Sequence, residues 1–291
     1  MTEFLLKAAY TFSMRWYVVV FFLFYLLVGI YTFGLRRLLV FTFIGYFIAL
    51  ACEASSIRNG FPFGLYHYAP DMIQKELSFF GVPVWDSLSF VFLTFFPYQF
   101  ALLLFSPLVK VKWYDLQMAD TWKIRHRPAV LITAVFLMTM IDTVVDPLTL
   151  QGKKWFLGYV YYYPNGGSHF GVPISNYLGW FFTGFCILGT FILVDKYLLM
   201  KKKTFNKMPA YLPSKALYGM IMYYGIILFN IVITYIIGMN ELGISSVLIY
   251  VLPTVLVIGM FFKKSSYARQ EDLLNHFKDF PESKLLNKIQ E

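Results

Sequence analysis

An all-α, polytopic helix bundle embedded in a membrane is the fold class this sequence predicts, and three observations predict it. Of the 291 residues, 58% are hydrophobic and only 14% charged, against about 25% charged in an ordinary soluble domain. Seven apolar windows lie at about 16–34, 38–57, 85–109, 128–146, 176–200, 216–238 and 244–262, each near the ~20 residues that cross the hydrocarbon. Between them, Lys and Arg punctuate the apolar runs and form no basic patch. The same composition excludes a disordered chain and a small disulfide-stapled secreted domain. The net charge of +9, distributed in this way, marks topology and argues against a nucleic-acid partner.

The elements follow in order. The first run, Trp16 to Phe33, is long enough to span and lacks a small-residue cleavage site, so it reads as a helix and not as a signal peptide. Seven spans put the termini on opposite sides and assign every cation to one face. One face takes nineteen of the 25 Lys and Arg residues: Arg36 and Arg37, five in 110–127, six in 196–215 and six from Lys263 to the end of the chain. Because short loops rich in Lys and Arg stay cytoplasmic, the N-terminus is expected outside a cytoplasmic membrane and the C-terminus inside. Residues 1–266 then form one transmembrane domain, and 267–291 a cytoplasmic tail. Leu273, Leu274, Phe277 and Phe280 recur in that tail at helical spacing, the pattern of an amphipathic interfacial helix. Cys52 and Cys186 lie in apolar runs, where a thiol behaves as a small hydrophobe.

An internal duplication organises the middle of the chain. Phe80-Gly81-Val82-Pro83 recurs ninety positions later as Phe170-Gly171-Val172-Pro173, and each copy opens a hydrophobic span. Each follows a loop rich in Gly and aromatics, Gly60 to Tyr68 and Tyr159 to Gly167, and before that a span carrying carboxylates near its end. The second and third spans and the fourth and fifth therefore read as two parallel repeats, an arrangement that builds a site at the repeat interface. Gly81, Pro83, Gly171 and Pro173, with Gly64 in the first loop, are the expected structural positions: Pro suits the first helical turn and Gly a tight approach to it.

This topology places Glu53, Asp86, Asp142, Asp146 and Asn176 together in the outer half of the membrane. An acid within a span costs about 2.5–3.5 kcal/mol, so such groups face inward. In a dry aromatic cavity burial disfavours the charged form, and a carboxyl can keep its proton and serve as a general acid. Asp142 and Asp146, four apart, share a helix face and can hold one proton between them. The structural alternatives are a helix-end role for Asp146 before Pro147, an Asp142–Asn176 hydrogen bond, and a Glu53–Arg58 pair.

Other chemistries lack their parts. His67, His126, His169 and His276 are too few for a di-iron oxygenase and straddle both faces, and no ligand-spaced pair suggests a metal site. No span interior carries the Lys of a retinal Schiff base. There is no Gly-rich phosphate loop and no Gly-x-Ser-x-Gly elbow.

At these residues the chain resembles a known family. Glu53 through Gly60, Pro62-Phe63-Gly64, Tyr66 and Tyr68 precede Gly81-Val82-Pro83; then come Asp142, Asp146-Pro147, Trp155, Phe170 to Pro173, Asn176 and Gly179-Trp180. Together, over roughly residues 50 to 185, they resemble the CruF-type carotenoid 1,2-hydratases, also called bisanhydrobacterioruberin hydratases. Phe90 stands where that family often has Trp, and Asp86 is not one of its motif positions. The resemblance implies addition of water across the terminal 1,2 double bond of an acyclic carotenoid, giving a tertiary 1-hydroxyl with no cofactor. Its implied partners are a carotenoid drawn from the bilayer, membrane lipid and other carotenoid enzymes.

The chemistry needs an acid, electron-rich ring faces to stabilise a tertiary cation and one held water. Asp142 and Asp146 are the expected acid. Tyr66, Tyr68, Tyr161 and Trp180 are the expected wall, with Phe170 beside the substrate, and Glu53 or Asn176 would orient the water. Two other classes share the same residues: a carotenoid or isoprenoid cyclase or isomerase, and a proton or small-solute transporter. The inner halves of the spans show almost none of the polar residues that a full conduction path needs.

Overall fold

Eleven helices and three short two-stranded ladders make up the computed structural model, which describes residues 2–200, 211–285 and 288. Helix α1 (Thr2–Met14) precedes the seven apolar helices: α2 (Trp16–Phe33), α3 (Leu35–Asn59), α5 (Val84–Phe105), α7 (Pro128–Thr149), α8 (Ile174–Val194, continued by a π turn over Asp195–Leu199), α9 (Lys215–Ile236) and α10 (Asn240–Phe262). Each is long and apolar enough to cross a membrane, so the protein is an all-α polytopic membrane bundle. Short helices α4 (Pro70–Lys75) and α6 (Trp122–Arg125) lie in connections, and α11 (Gln270–Asp279) in the tail. The basic stretch at 201–210 lies outside the described residues.

The boundaries follow from local chemistry. Gly34, at φ 75°, separates α2 from α3, and Gly60, at φ 82°, closes α3 in the left-handed conformation that costs an L side chain most. Pro83 and Pro173 stand just before α5 and α8, and Pro128 opens α7 at a position whose N–H has no helical partner.

Helix α5 is the axis of the bundle: 83% of its apolar window is buried, against 17% for α10 at the periphery. It packs on α2, α3, α7 and α9, while α8 packs on α3 and α7. The helix pairs α3–α5 and α7–α8 are thus the two repeats, and each contributes one helix to each contact across their interface. The repeated tetrapeptide has the same backbone in both copies, φ 53° and 81° at Phe80-Gly81 and 49° and 92° at Phe170-Gly171. Each glycine lies against the preceding helix of its own repeat, Gly81 on Ile57 and Gly171 on Leu150.

The loops that cap this end join the repeats. β1 (His67–Tyr68) pairs antiparallel with β6 (Tyr161–Tyr162), His67 opposite Tyr162 and Tyr68 opposite Tyr161, and Ala69 N–H donates to Val160 O at 2.8 Å. Phe63 N–H donates to Ser56 Oγ of α3 at 2.9 Å, and Ser175 Oγ of α8 donates to Phe63 O at 3.3 Å. The first loop is thereby fastened to both repeats. A short hairpin of β2 (Ser78–Phe79) and β3 (Val82–Pro83) leads into α5.

The opposite end gathers Arg37, the connection before α7, the π turn at Asp195 and the C-terminal tail. Arg37 donates to Asp195 at 2.6 Å, His126 meets the other oxygen of Asp195 at 2.8 Å, and Arg125 donates to Asp120 at 2.5 Å. A hairpin of β4 (Leu108–Lys112) and β5 (Asp115–Met118) forms here, which apolar periodicity did not disclose. The amphipathic tail forms α11, but its apolar face covers protein. Leu273 and Phe277 pack with Val109 and Ala119, Phe280 is buried against Trp122, and Leu274 alone of the four faces outward.

Candidate functional site

Four carboxyl side chains from three helices converge beneath the joined loops. Glu53 comes from the last turns of α3, Asp86 from the first turn of α5, and Asp142 and Asp146 from the last turns of α7; Asn176 enters from the first turn of α8. Glu53, Asp142, Asp146 and Asn176 are each at most 8% exposed. Among the described residues, none of the ion pairs engages any of the four acids. Their partners are neutral donors instead.

Asn176 supplies one pair. Its Nδ2 donates to Asp142 Oδ2 at 2.6 Å and to Asp146 Oδ2 at 2.7 Å, so both amide hydrogens are engaged. Tyr161 and Trp180 also face Asp146. Tyr68 supplies the other pair: its hydroxyl lies 2.9 Å from Glu53 Oε2 and 2.5 Å from Asp86 Oδ2, with the Tyr66 hydroxyl at 3.2 Å. Burial first, and the neighbouring carboxylates after it, push the Tyr66, Tyr68, Tyr161 and Tyr163 hydroxyls well above the usual tyrosine range. All four therefore remain O–H donors. Arg58, which donates to Ala54 O and Phe80 O, leaves Glu53 to Tyr68; the Glu53–Arg58 pair is not formed.

Two cavities meet at these groups. A polar cavity of about 40 Å³ is lined by Glu53, Asp86, Asp146, Asn176, Phe63 and Phe90, together with Tyr66, Tyr161, Tyr163 and Trp180. That exceeds the ~10–15 Å³ needed to hold a water. An apolar pocket of about 120 Å³ lies beside it between α2, α5, α7 and α9, walled by side chains such as Phe21, Phe92, Leu93 and Ile226. Asp86, Phe90, Asp146, Tyr161 and Trp180 line both. The rings are packed: Phe90 stacks on Trp180 at 4.7 Å, and Tyr66 meets Tyr161 edge-on at 5.6 Å.

The sequence-predicted residues divide accordingly. Glu53, Tyr66, Asp146, Tyr161, Asn176 and Trp180 line the polar cavity, Tyr68 holds two of its acids, and Asp142 lies behind Asp146, lining neither space. Phe170 also lines neither; it sits in the turn at φ 49° with its ring 5.2 Å from His169. Gly64 seats its loop on α8: at φ 90° it takes a left-handed conformation, and a Cβ there would come within 2.5 Å of Ser175 Oγ. Phe63, Phe90 and Tyr163 were not among the expected site residues, and Asp86 was expected at this depth with no role assigned to it. Asp86 had a sequence signal, since it lies ninety positions before Asn176, the interval that separates the two tetrapeptides. Among the described residues no three His, Cys, Asp or Glu side chains are disposed to hold a metal ion.

A buried acid cluster that shares five lining residues with an apolar pocket suits an apolar substrate with one reactive end. Comparison with known proteins agrees with that reading at the level of family. No curated protein and no solved structure gives a match. A family model described as carotenoid biosynthesis protein matches residues 14–252, a span that contains every group named above, and the chain belongs to that family.

Proposed function

We propose that this carotenoid biosynthesis protein is a hydratase. It adds water across the terminal 1,2 double bond of an acyclic carotenoid and leaves a tertiary 1-hydroxyl. The observation that carries the reading is the junction of the two cavities. A water-sized polar space and an apolar pocket share a wall formed by Asp86, Phe90, Asp146, Tyr161 and Trp180. The polyene lies in the apolar pocket, entering between helices from the bilayer, and its end group reaches the acids.

The Asp142 and Asp146 pair, held by the Asn176 amide, delivers a proton to C2. The positive charge then develops at C1, where the more substituted cation is stabler. Trp180, Phe90 and Tyr161 present ring faces and edges around that position; a desolvated cation–π contact contributes about 2 kcal/mol. Water in the polar cavity adds to C1. The loops that join the repeats form the lid, irregular backbone at membrane depth being tolerated over protein or a wet cavity. In the membrane this end of the bundle faces outward, with the C-terminal tail in the cytoplasm, as the Lys and Arg asymmetry directs.

Two related readings predict different products. A cyclase or isomerase would use the same acid and wall but exclude water, whereas the polar cavity adjoins the acid. A transporter needs polar groups through both halves of the bundle. The deciding experiment is expression in a host that accumulates an acyclic carotenoid, with mass analysis of the pigment formed in oxygen-18 water. A product heavier by one labelled water supports hydration. An isomer of unchanged mass indicates cyclisation or isomerisation, label arriving only from molecular oxygen indicates an oxygenase, and unchanged pigment moves the reading to transport. Asp142→Asn and Asp146→Asn should abolish product while the folded protein stays in the membrane; full turnover in both would remove the proposed acid.

A further inference from the structure

The duplication gives the site two halves, and they are not equivalent. Ile57 and Leu150 are the residues against which the repeated glycines rest, and one helical turn before them stand Glu53 and Asp146. Three residues after the repeated prolines stand Asp86 and Asn176. Each repeat therefore brings an acid from its first helix and a polar residue from the third position of its second helix. In one repeat that residue is an amide with both hydrogens committed to Asp142 and Asp146. In the other it is a carboxyl.

We propose that Asp86 is the proton acceptor of the reaction, taking the proton of the attacking water while Asp146, from the other repeat, supplies the proton to carbon. This rests on the hydratase reading. Asp86 and Asp146 are the two acids that line both the polar cavity and the apolar pocket, one from each repeat. Glu53 lines only the polar cavity and Asp142 neither, so neither of them borders both the water and the end group. The amide hydrogens of Asn176 are taken.

The hydroxyl of Tyr68 has one hydrogen and lies within bonding distance of both Glu53 and Asp86. It can donate to one of them at a time. A proton gained by Asp86 can thus pass to Tyr68 while Tyr68 gives its own to Glu53, which moves the acquired charge away from the reacting carbon. The step balances. The C1–C2 π bond breaks, a C–H bond forms at C2 with the proton of Asp146, a C–O bond forms at C1, and one O–H bond of water breaks towards Asp86. One water is added. The proton returns from the Glu53 side to Asp146 through the polar cavity that both line.

The test uses the full-length protein in membranes, fed an acyclic carotenoid in deuterium oxide, with both hydrated product and recovered alkene analysed for deuterium at C2. Asp86→Asn should lower hydration at least 100-fold, within the 10²–10⁴-fold usual for general base catalysis. The recovered alkene should still gain deuterium, because the cation forms and then loses a proton back to Asp146. Asp146→Asn should lose both hydration and exchange. Asp86→Glu, which keeps a carboxyl, should recover part of the hydration and decides the matter if Asp86→Asn does not accumulate. Hydration by Asp86→Asn within about threefold of wild type would overturn the assignment, as would joint loss of hydration and exchange in folded protein. Failure of the wild-type chain to hydrate any acyclic carotenoid would instead overturn the hydratase reading itself.

Discussion

Gly179 is where α8 lies against the Pro62-Phe63 segment of the proposed lid, and a single methyl there tests whether the seating of that segment sets the geometry of the site. A Cβ on Gly179 would stand 2.5 Å from Phe63 Cδ1, 2.7 Å from Phe63 Cα and 2.8 Å from Pro62 O. Two of those atoms are backbone, so no side-chain rotation relieves the contact. Restoring 3.4 Å, the near limit of ordinary contact, requires the Pro62-Phe63 segment to withdraw by about 0.6–0.7 Å in an interior with few voids to absorb it. That segment leads to Tyr66 and to Tyr68, whose hydroxyl meets Glu53, Asp86 and the Tyr66 hydroxyl.

Overpacking of this kind costs about 1–3 kcal/mol, and replacing Gly by Ala within a helix returns about 1 kcal/mol. The expected net loss of stability for Gly179→Ala is therefore about 0–2 kcal/mol, too little to unfold the protein. Turnover should fall further. A displacement near 1 Å can cost about 10²-fold, so a shift of this size should lower the rate on the order of 10–100-fold. The matched control is Gly189→Ala on the same helix, where an added Cβ meets nothing within 4 Å. Product formation in membranes and thermal unfolding of purified protein are to be measured for both. Equal turnover in the two variants would refute the argument that the lid's seating controls the chemistry.

Further outcomes follow from individual contacts. Asn176→Leu keeps the branching of the side chain but strips the amide donor from two buried carboxyls; Asp146 still faces Tyr161 and Trp180, so at about 1–3 kcal/mol for an acceptor left unpaired unfolding should come earlier by roughly 1–3 kcal/mol, and an unchanged transition would show that water replaces the amide without loss. Arg15 donates to both oxygens of Glu76, at 2.6 and 3.2 Å, and to Leu157 O, and stacks 4.5 Å above Trp85; removing one partner of a buried pair costs about 3–5 kcal/mol, so Arg15→Ala should destabilise strongly, and a double-mutant cycle with Glu76→Ala should show coupling above about 1 kcal/mol. His276 donates to Asp120 O at 2.6 Å, and burial, opposed in part by Asp120, holds its imidazole below the usual histidine value. The docked tail thus binds fewer protons than the free tail, and docking weakens as pH falls through about 6.5, the ordinary histidine value. Asp120, buried but held below its usual value by Arg125, His276 and Lys215, adds a loss in the same direction only in stronger acid, below about pH 4. Protection factors across 270–279, the exchange rates referred to the intrinsic rate at each pH, should therefore fall between pH 8 and 5; factors that rise or stay constant would contradict the sign.

The seven spans were legible because a bilayer imposes one length and one composition on every helix that crosses it. Their observed limits depart from the apolar windows by a few residues, where Gly34, Gly60 and the repeated prolines set caps that hydropathy does not weigh. The candidate site, as a gathering of buried acids, was legible for a different reason: acids are costly in a span, so Glu53, Asp142 and Asp146 stand out wherever they occur. Tyr163 and Phe90 did not, because 32 Phe and 22 Tyr serve mostly as packing and belt, and nothing local separates a ring in a wall from a ring in a core. The β4–β5 hairpin was hidden for a similar reason, its five- and four-residue strands being read only as a basic loop between spans.

Asp86 shows what a repeat adds to such a reading. Judged alone, it is an acid in the first turn of a helix, where Asp is favoured by the helix dipole and needs no further explanation. Judged by register, it occupies the place that Asn176 occupies in the second copy, and Asn176 joins the two acids of its half. Two half-sites of like backbone need not keep like charge. Giving one an amide fixes its acid pair in place, while giving the other a carboxyl leaves a group able to accept a proton, so an approximate twofold scaffold acquires a direction for proton transfer. On the hydratase reading proposed above, a site that protonates carbon on one side and deprotonates water on the other requires that inequality, and two side chains ninety residues apart, Asp86 and Asn176, would supply it.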